Sequence, residues 1–345
     1  MLSMTRDPRT TVHSPRRTLS VFLVLGALSS IFLDYWEYSR SFHSDPDIWA
    51  SALRGTSDAP AQYRIGVLKA AEFVMHHSPL QIRHALTIFD VIFLLIAMFV
   101  LRDLLMRSST WRVAAPAVRW FGAAAFVVLL GYSLQWLTWY QRPETLTIAA
   151  LVALSLWLST NRLPIPGVGG NLVTAFALIV LGLLQGVTRA DVGVTFHLGV
   201  ALVCLTPLGR SFALPRWLQC LASLGAAGVA GGAQFYIMHF VYPNATYGTT
   251  PRFQLLLNYT DHIRLVPFAL FLIPSVWLAI QVFRRRFMPQ PAQAGLLVGA
   301  AMFLILWCVL GKVDEVRIFL PFAFALAPMT VEAAMARISL GANQI

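Results

Sequence analysis

Apolar stretches long enough to cross a bilayer recur along this whole chain, and nothing constrains its fold more tightly. A hydrocarbon core about 30 Å thick is crossed by about 20 predominantly apolar residues of helix. Such runs read as spans at 18–33, 84–106, 117–139, 143–160, 171–188, 191–210, 216–241, 263–283, 292–311 and 318–336. The expected fold class is therefore all-α, a polytopic transmembrane helix bundle of about ten spans. Only 12% of the residues are charged, against about 25% in soluble domains. That leaves room for a basic tail at 1–17 and a single integral-membrane domain at 18–345, with no soluble domain of useful size.

The tail carries Arg6, Arg9, Arg16 and Arg17 against Asp7. A basic start before a short apolar core also resembles a secretory signal peptide. No small-residue cleavage site precedes Asp34, so the first span is expected to be retained. Both readings put residue 34 onward outside the cytoplasm. Residues 34–83 form the longest polar segment, an outer loop expected to hold juxtamembrane helices. Its 62–77 stretch is apolar enough to lie on a membrane surface. Arg64, Lys69, Glu72, His76 and His77 make it too polar to cross.

A net charge of +11 raises the question of nucleic acid, and the distribution of charge answers it. Fifteen of the 26 basic residues fall in alternate loops, accompanied by only Asp7, Asp103 and Glu332. That asymmetry is the positive-inside pattern, with both termini cytoplasmic, and no nucleic-acid partner is expected. On the opposite, outer side 11 bases balance 11 of the 15 acids. The expected location is the bacterial inner (plasma) membrane, with the lipid bilayer as obligatory partner.

The acids and arginines on the outer side fall in short motifs at span ends: Arg142-Pro143-Glu144, Arg189-Ala190-Asp191 and Asp314-Glu315-Val316-Arg317. Each has an ordinary structural reading. Pro143 can open a helix and Glu144 complement its N-terminus; Arg189 and Asp191 can close a tight turn. Their recurrence on one face also suits a phosphorylated or sugar ligand, because a guanidinium grips phosphate oxygens in a bidentate way. Arg64, Arg142, Glu144, Arg189, Asp191, Glu315 and Arg317 are thus the candidate substrate-binding residues.

Asp45 and Asp47 follow the first span within Ser44-Asp45-Pro46-Asp47. Asp45 can cap a helix that Pro46 opens. A helix start at the membrane face is also a rigid mount for a catalytic carboxylate, and two carboxylates so close can hold a divalent cation. Asp45 and Asp47 are therefore the candidate catalytic residues, and the candidate metal ligands should a divalent cation be required.

Among intramembrane polar groups, Asp90 is expected to pair with a nearby arginine. Gln185, His197, Gln234 and His239 are expected to bond between helices. Cys204, Cys220 and Cys308 lie within spans and read as packing residues, and Asn244-Ala245-Thr246 and Asn258-Tyr259-Thr260 match the short glycosylation pattern.

A basic tail, one span, then an outer loop in which Asp45 is followed four positions later by Trp49 and a small-residue helix (Ala50-Ser51-Ala52) resembles the GT-C superfamily of polytopic glycosyltransferases. The protein mannosyltransferase and aminoarabinose transferase branches are the nearest in pattern. Trp49 stands where Tyr is common, and Pro46 where an acid often sits. The resemblance implies a sugar donor on polyprenyl phosphate and an acceptor hydroxyl activated by Asp45 or Asp47. It implies that Arg64, Arg142, Arg189 or Arg317 stabilises the departing lipid phosphate. The rival readings are a transporter or flippase for a lipid-linked or polar substrate, and a polysaccharide polymerase or ligase that leans on the outer arginines.

Overall fold

The structure is a computed structural model that describes residues 15–44, 47–137, 142–246, 253–260, 262–313 and 315–342. Among these the chain is a polytopic helical bundle without strands. Its α-helices are α1 (Pro15–Ser44), α2 (Ile48–Arg54), α3 (Gly66–His76), α4 (Ile82–Arg107), α5 (Ser109–Val113), α6 (Pro116–Leu134) and α7 (Glu144–Thr160). They continue as α8 (Gly167–Cys204), α9 (Arg216–Tyr236), α10 (Leu255–Thr260), α11 (His262–Phe283), α12 (Pro291–Leu310) and α13 (Leu320–Ala342).

Eight of these helices are long and apolar enough to cross a membrane. Two further crossings bring the described count to ten. One is α7, a shorter, largely apolar helix of 17 residues that starts at Glu144 and is buried except at Leu154, Trp157 and Thr160. A helix screened from lipid on all sides can be short, because its neighbours supply the apolar thickness. The other lies within α8, whose 38 residues are interrupted at Arg189 (φ −154, ψ 86). Eight residues of straight helix would separate 185 from 193 by about 12 Å. Instead, a Cβ built on Gly193 would stand 2.7 Å from Cβ of Gln185. The chain therefore doubles back at Arg189, and residues 167–188 and 190–204 lie side by side as two spans.

Close backbone approach holds this hairpin in place. A Cβ on Gly199 would fall 2.4 Å from the Gly295 carbonyl oxygen, and one on Gly299 would fall 2.7 Å from that of Thr195. The second half of α8 thus runs antiparallel to α12 along a seam of small residues. Lipid tails are as apolar as leucine, so helices in a bilayer associate through such packing and through polar bonds rather than hydrophobic burial. Gln185 Nε2 donates to Ser155 Oγ at 3.0 Å, Gln219 Nε2 to Ser159 Oγ at 3.3 Å, and Arg102 Nη1 to Ser20 Oγ at 2.7 Å. α7 and α13 form the centre, with Phe322, Phe324 and Ile148 fully buried. The perimeter shows Phe22, Phe32, Val128, Phe176 and Phe283, as a lipid-facing surface requires.

Several expectations shift. α1 continues to Ser44 rather than stopping near residue 33, because Asp34-Tyr-Trp-Glu37 contains no helix breaker and Arg40 pairs with Glu37 at 2.7 Å one turn away. Asp90, expected to pair with an arginine, accepts from Tyr38 Oη at 2.5 Å. His197 is fully buried with neither ring nitrogen hydrogen-bonded, against the expected interhelical bond. Asn258, part of a glycosylation-like motif, is buried and donates to the carbonyls of Cys308 (3.1 Å) and Gly311 (2.8 Å), pinning the end of α12.

Candidate functional site

The segment between α1 and α4 folds back over the bundle end where α8 reverses. Gly55 ends α2 in the left-handed region (φ 82), which glycine alone adopts without strain, and a Cβ there would also press within 2.9 Å of the Tyr242 ring. Buried Gln62 accepts from Ser57 N (2.9 Å) and donates to Ala52 O (2.9 Å), fastening α2 to the 3₁₀ turn Ala61–Tyr63. Tyr63 Oη donates to Ala245 O at 2.8 Å. Gly66 abuts the Val187 carbonyl. These contacts deliver Arg64 to the reversal in α8.

There the charged residues from distant motifs meet. Arg189 is 1% exposed. Its Nη2 and Nε donate to the two Asp191 carboxylate oxygens (2.6 and 3.3 Å), and its Nη1 donates to Ile318 O (3.2 Å). Arg64 reaches Glu144 at 3.4 Å and Asp191 at 3.8 Å. Arg317 donates to Glu315 at 2.7 Å. Arg142 lies within electrostatic reach of both Arg317 and Glu144. So the structure brings together Arg64, Arg142, Glu144, Arg189, Asp191, Glu315 and Arg317. Four guanidinium groups face three carboxylates in this cluster.

Burial works on these charges in opposite ways. At Arg64 desolvation lowers the pKa, but Asp191, Glu144 and, farther off, Glu315 more than offset it and hold the group above its ordinary value. At Arg317 desolvation dominates, and the repulsion of Arg142 and Arg64 adds to it. Glu315 and Glu144 restore only part, and the guanidinium is pulled down to about 10. Both remain cationic at neutral pH.

A cavity of about 760 Å³ opens beside the cluster. Arg64, Arg189, Asp191, Tyr63, Gln234 and His239 supply its polar lining. The rest is apolar: Met238 from the turn after α9, Phe253, and Phe303, Leu306, Trp307 and Leu310 of α12. Trp307 is fixed by donating to Lys312 O at 2.9 Å and by stacking on Phe319 at 5.9 Å. Phe303 lies 5.7 Å beneath the Arg189 guanidinium, a cation–π arrangement. Asp191 keeps 40% of its side chain open. The hollow is thus cationic and hydrogen-bonding at one end and aromatic along its wall, which fits a molecule with an anionic head and an apolar body.

Of the two candidate catalytic acids, the described one, Asp47, stands apart from this cavity. Asp45 lies outside the described residues, as does Asp314. Asp47, rather than Asp45, occupies the N-cap position of α2, with no side-chain cap bond. It is exposed and accepts from Arg54 Nη2 at 2.7 Å, and it does not line the cavity. Trp49 is buried and meets Tyr38 edge to face at 5.9 Å. Among the described residues no group of three or more His, Cys, Asp or Glu side chains is arranged to hold a metal ion.

Sequence reading missed the wall. Phe303 and Trp307 sit in an apolar run where any aromatic residue looks like lipid contact or packing, Phe253 lies in a connection outside every span, and the turn at Gly311-Lys312 after α12 was the one hint that Trp307 lies near the end of a span. Gln234 and His239, read as interhelical partners, line the cavity instead. Compared with protein-family models, with curated proteins and with solved structures, the chain matches none, so what the site can do follows from its own geometry.

Proposed function

We propose that this protein is a membrane glycosyltransferase that moves a sugar from a polyprenyl-phosphate donor to an acceptor hydroxyl at the extracytoplasmic face. The observation that carries the reading is the meeting of Arg64, Arg189 and Asp191 with the aromatic wall of Phe253, Phe303 and Trp307 in one hollow. Phosphate oxygens sit against the guanidinium end and the first prenyl units along the rings. The orientation follows the basic loops, with the cavity on the side opposite most of the arginines.

In the reaction the acceptor oxygen attacks the anomeric carbon as its proton passes to a carboxylate. The bond from that carbon to the phosphate oxygen breaks with inversion, and polyprenyl phosphate leaves with the electron pair. Arg64 and Arg189 meet the charge that develops on the phosphate in a water-poor site, where fixed cations act most strongly. Asp191 is the cavity-lining carboxylate among the described residues and is our choice of base. Asp45 and Asp47, the bases the GT-C resemblance implies, are the alternatives to it, and substitution separates the three. A base needs reach to the acceptor proton more than high basicity at rest, so ion pairing with Arg189 does not disqualify Asp191.

The test is purified protein in vesicles with polyprenyl-phosphate-linked sugar labelled in the sugar. Wild type should release polyprenyl phosphate. Asp191→Asn should lose about 10²–10⁴ in rate while still binding donor. If Asp45→Asn or Asp47→Asn abolishes turnover and Asp191→Asn does not, the base lies in the first loop. The rival reading is a transporter or flippase. It would carry intact donor across the bilayer without cleaving it.

A further inference from the structure

A second hollow, of about 190 Å³, lies at the opposite end of the bundle, where α4, α7, α12 and α13 come together. Pro328, inside α13, makes the floor there together with Ala325 and Met329. The rim is polar: Arg107, Arg112, Ser108, Asn161, Gln290 and Gln293.

The two arginines are held in place by groups that leave donors to spare. Asp103 accepts from Arg107 Nε at 2.6 Å and from Trp157 Nε1 at 2.8 Å, and the Trp157 ring lies 5.9 Å under the Arg107 guanidinium. Among the described residues neither terminal nitrogen of Arg107 has a protein partner. Arg112 donates through Nε and Nη2 to Arg107 O (3.0 and 2.6 Å), and Arg119 Nη2 donates to Arg112 O at 2.8 Å. Backbone carbonyls of the α4–α5 turn thus aim a row of guanidinium groups along one rim. Nearby Glu332 is buried and already receives Thr110 (3.2 Å) and Gln293 (3.1 Å). It neither lines the hollow nor neutralises the arginines.

A basic hollow between transmembrane helices at the arginine-rich end is suited to a phosphate ester. We propose that this cavity binds a phosphate group at the cytoplasmic face, either the headgroup of an anionic phospholipid or a soluble phosphate. Its volume suits one phosphate and a small substituent. Arg107 and Arg112 supply the charge, and Asn161 and Gln290 complete the polar rim. The site is separate from the outer cavity and does not depend on the transferase reading.

Native mass spectrometry of the full chain in detergent tests the lipid source, with phosphatidylglycerol against phosphatidylcholine. Thermal unfolding with and without inorganic phosphate tests the soluble source. Wild type should retain phosphatidylglycerol about tenfold or more over phosphatidylcholine, or unfold at higher temperature with phosphate. Arg107→Gln with Arg112→Gln should remove whichever effect is found. Asn161→Asp, which adds a repelling charge without removing an arginine, should weaken it too and serves if the double variant fails to fold. Arg210→Gln, an exposed arginine at the same end outside the hollow, should leave it intact. Equal retention of both lipids with no response to phosphate overturns the proposal. So does an Arg210→Gln loss as large as that of the double variant.

Discussion

Arg189 is a structural bolt and, on our proposed reading, also the guanidinium that meets the donor phosphate. It sits where α8 reverses, so its guanidinium reaches Asp191 on the returning helix and Ile318 O before α13. Lysine would keep the charge but lose the planar fork that makes these bonds together. Arg189→Lys should lower stability by about 1.5–3 kcal/mol, the range for hydrogen bonds to a charged group, measurable by thermal unfolding in detergent. Arg317 makes a second prediction, through pH. Its folded-state pKa, pulled down to about 10 by burial, lies below the unfolded value. Between about pH 10 and the ordinary arginine range the unfolded chain binds more protons than the folded one, so this group makes stability rise with pH there. Below pH 10 both states carry the proton and the contribution is flat. Chemical denaturation at pH 9 and pH 11 should therefore show wild type gaining on Arg317→Gln at the higher pH. Six of the seven charged residues of the cluster were readable in the sequence as opposite charges two residues apart at span ends, and Arg64 as a cation of the outer loop outside those motifs. The direction of Asp47 was not readable. A seven-residue helix ended by Gly55 can turn the N-cap residue before it either way, and contacts far off in sequence (Gln62, Tyr242) decide.

At the level of elements, the site depends on the hairpin within α8, and the hairpin depends on its seam with α12. Gly199→Val would push a branched side chain into backbone now within 2.4 Å of a built Cβ. No rotamer escapes that clash, so the cost should reach or exceed the ~1–3 kcal/mol typical of overpacking. Loss of a monodisperse peak on size exclusion, or a lowered unfolding temperature, would report it. Gly225→Val, whose built Cβ meets only Ile179 side-chain atoms at 3.4 Å or more, should be tolerated far better. The spans themselves were legible because a bilayer demands length and apolarity, and both are written in composition. The pairing of helices was not, since a glycine in an apolar run looks the same whether it touches lipid or another backbone. The prolongation of α1 to Ser44 escaped notice for a related reason: polarity ends a span but does not end a helix.

For the molecule as a whole, the two cavities stand at opposite ends of one bundle, and our proposal takes the sides from the distribution of basic loops. Cysteine placed at exposed Thr56 or Arg210 in a cysteine-free background tests the assignment. An impermeant thiol reagent should label position 56 from outside the cell and position 210 only after the membrane is opened. The turn within α8 has a consequence at this scale as well. Two crossings joined at a single residue leave no slack to absorb an error in length. One added glycine after Thr188 would lengthen the reversal itself and displace the returning helix relative to the first half of α8. Such a change, harmless in the longer connection between α9 and α10, would here swing the small-residue edge away from α12 and carry Asp191 out of the hollow together with it.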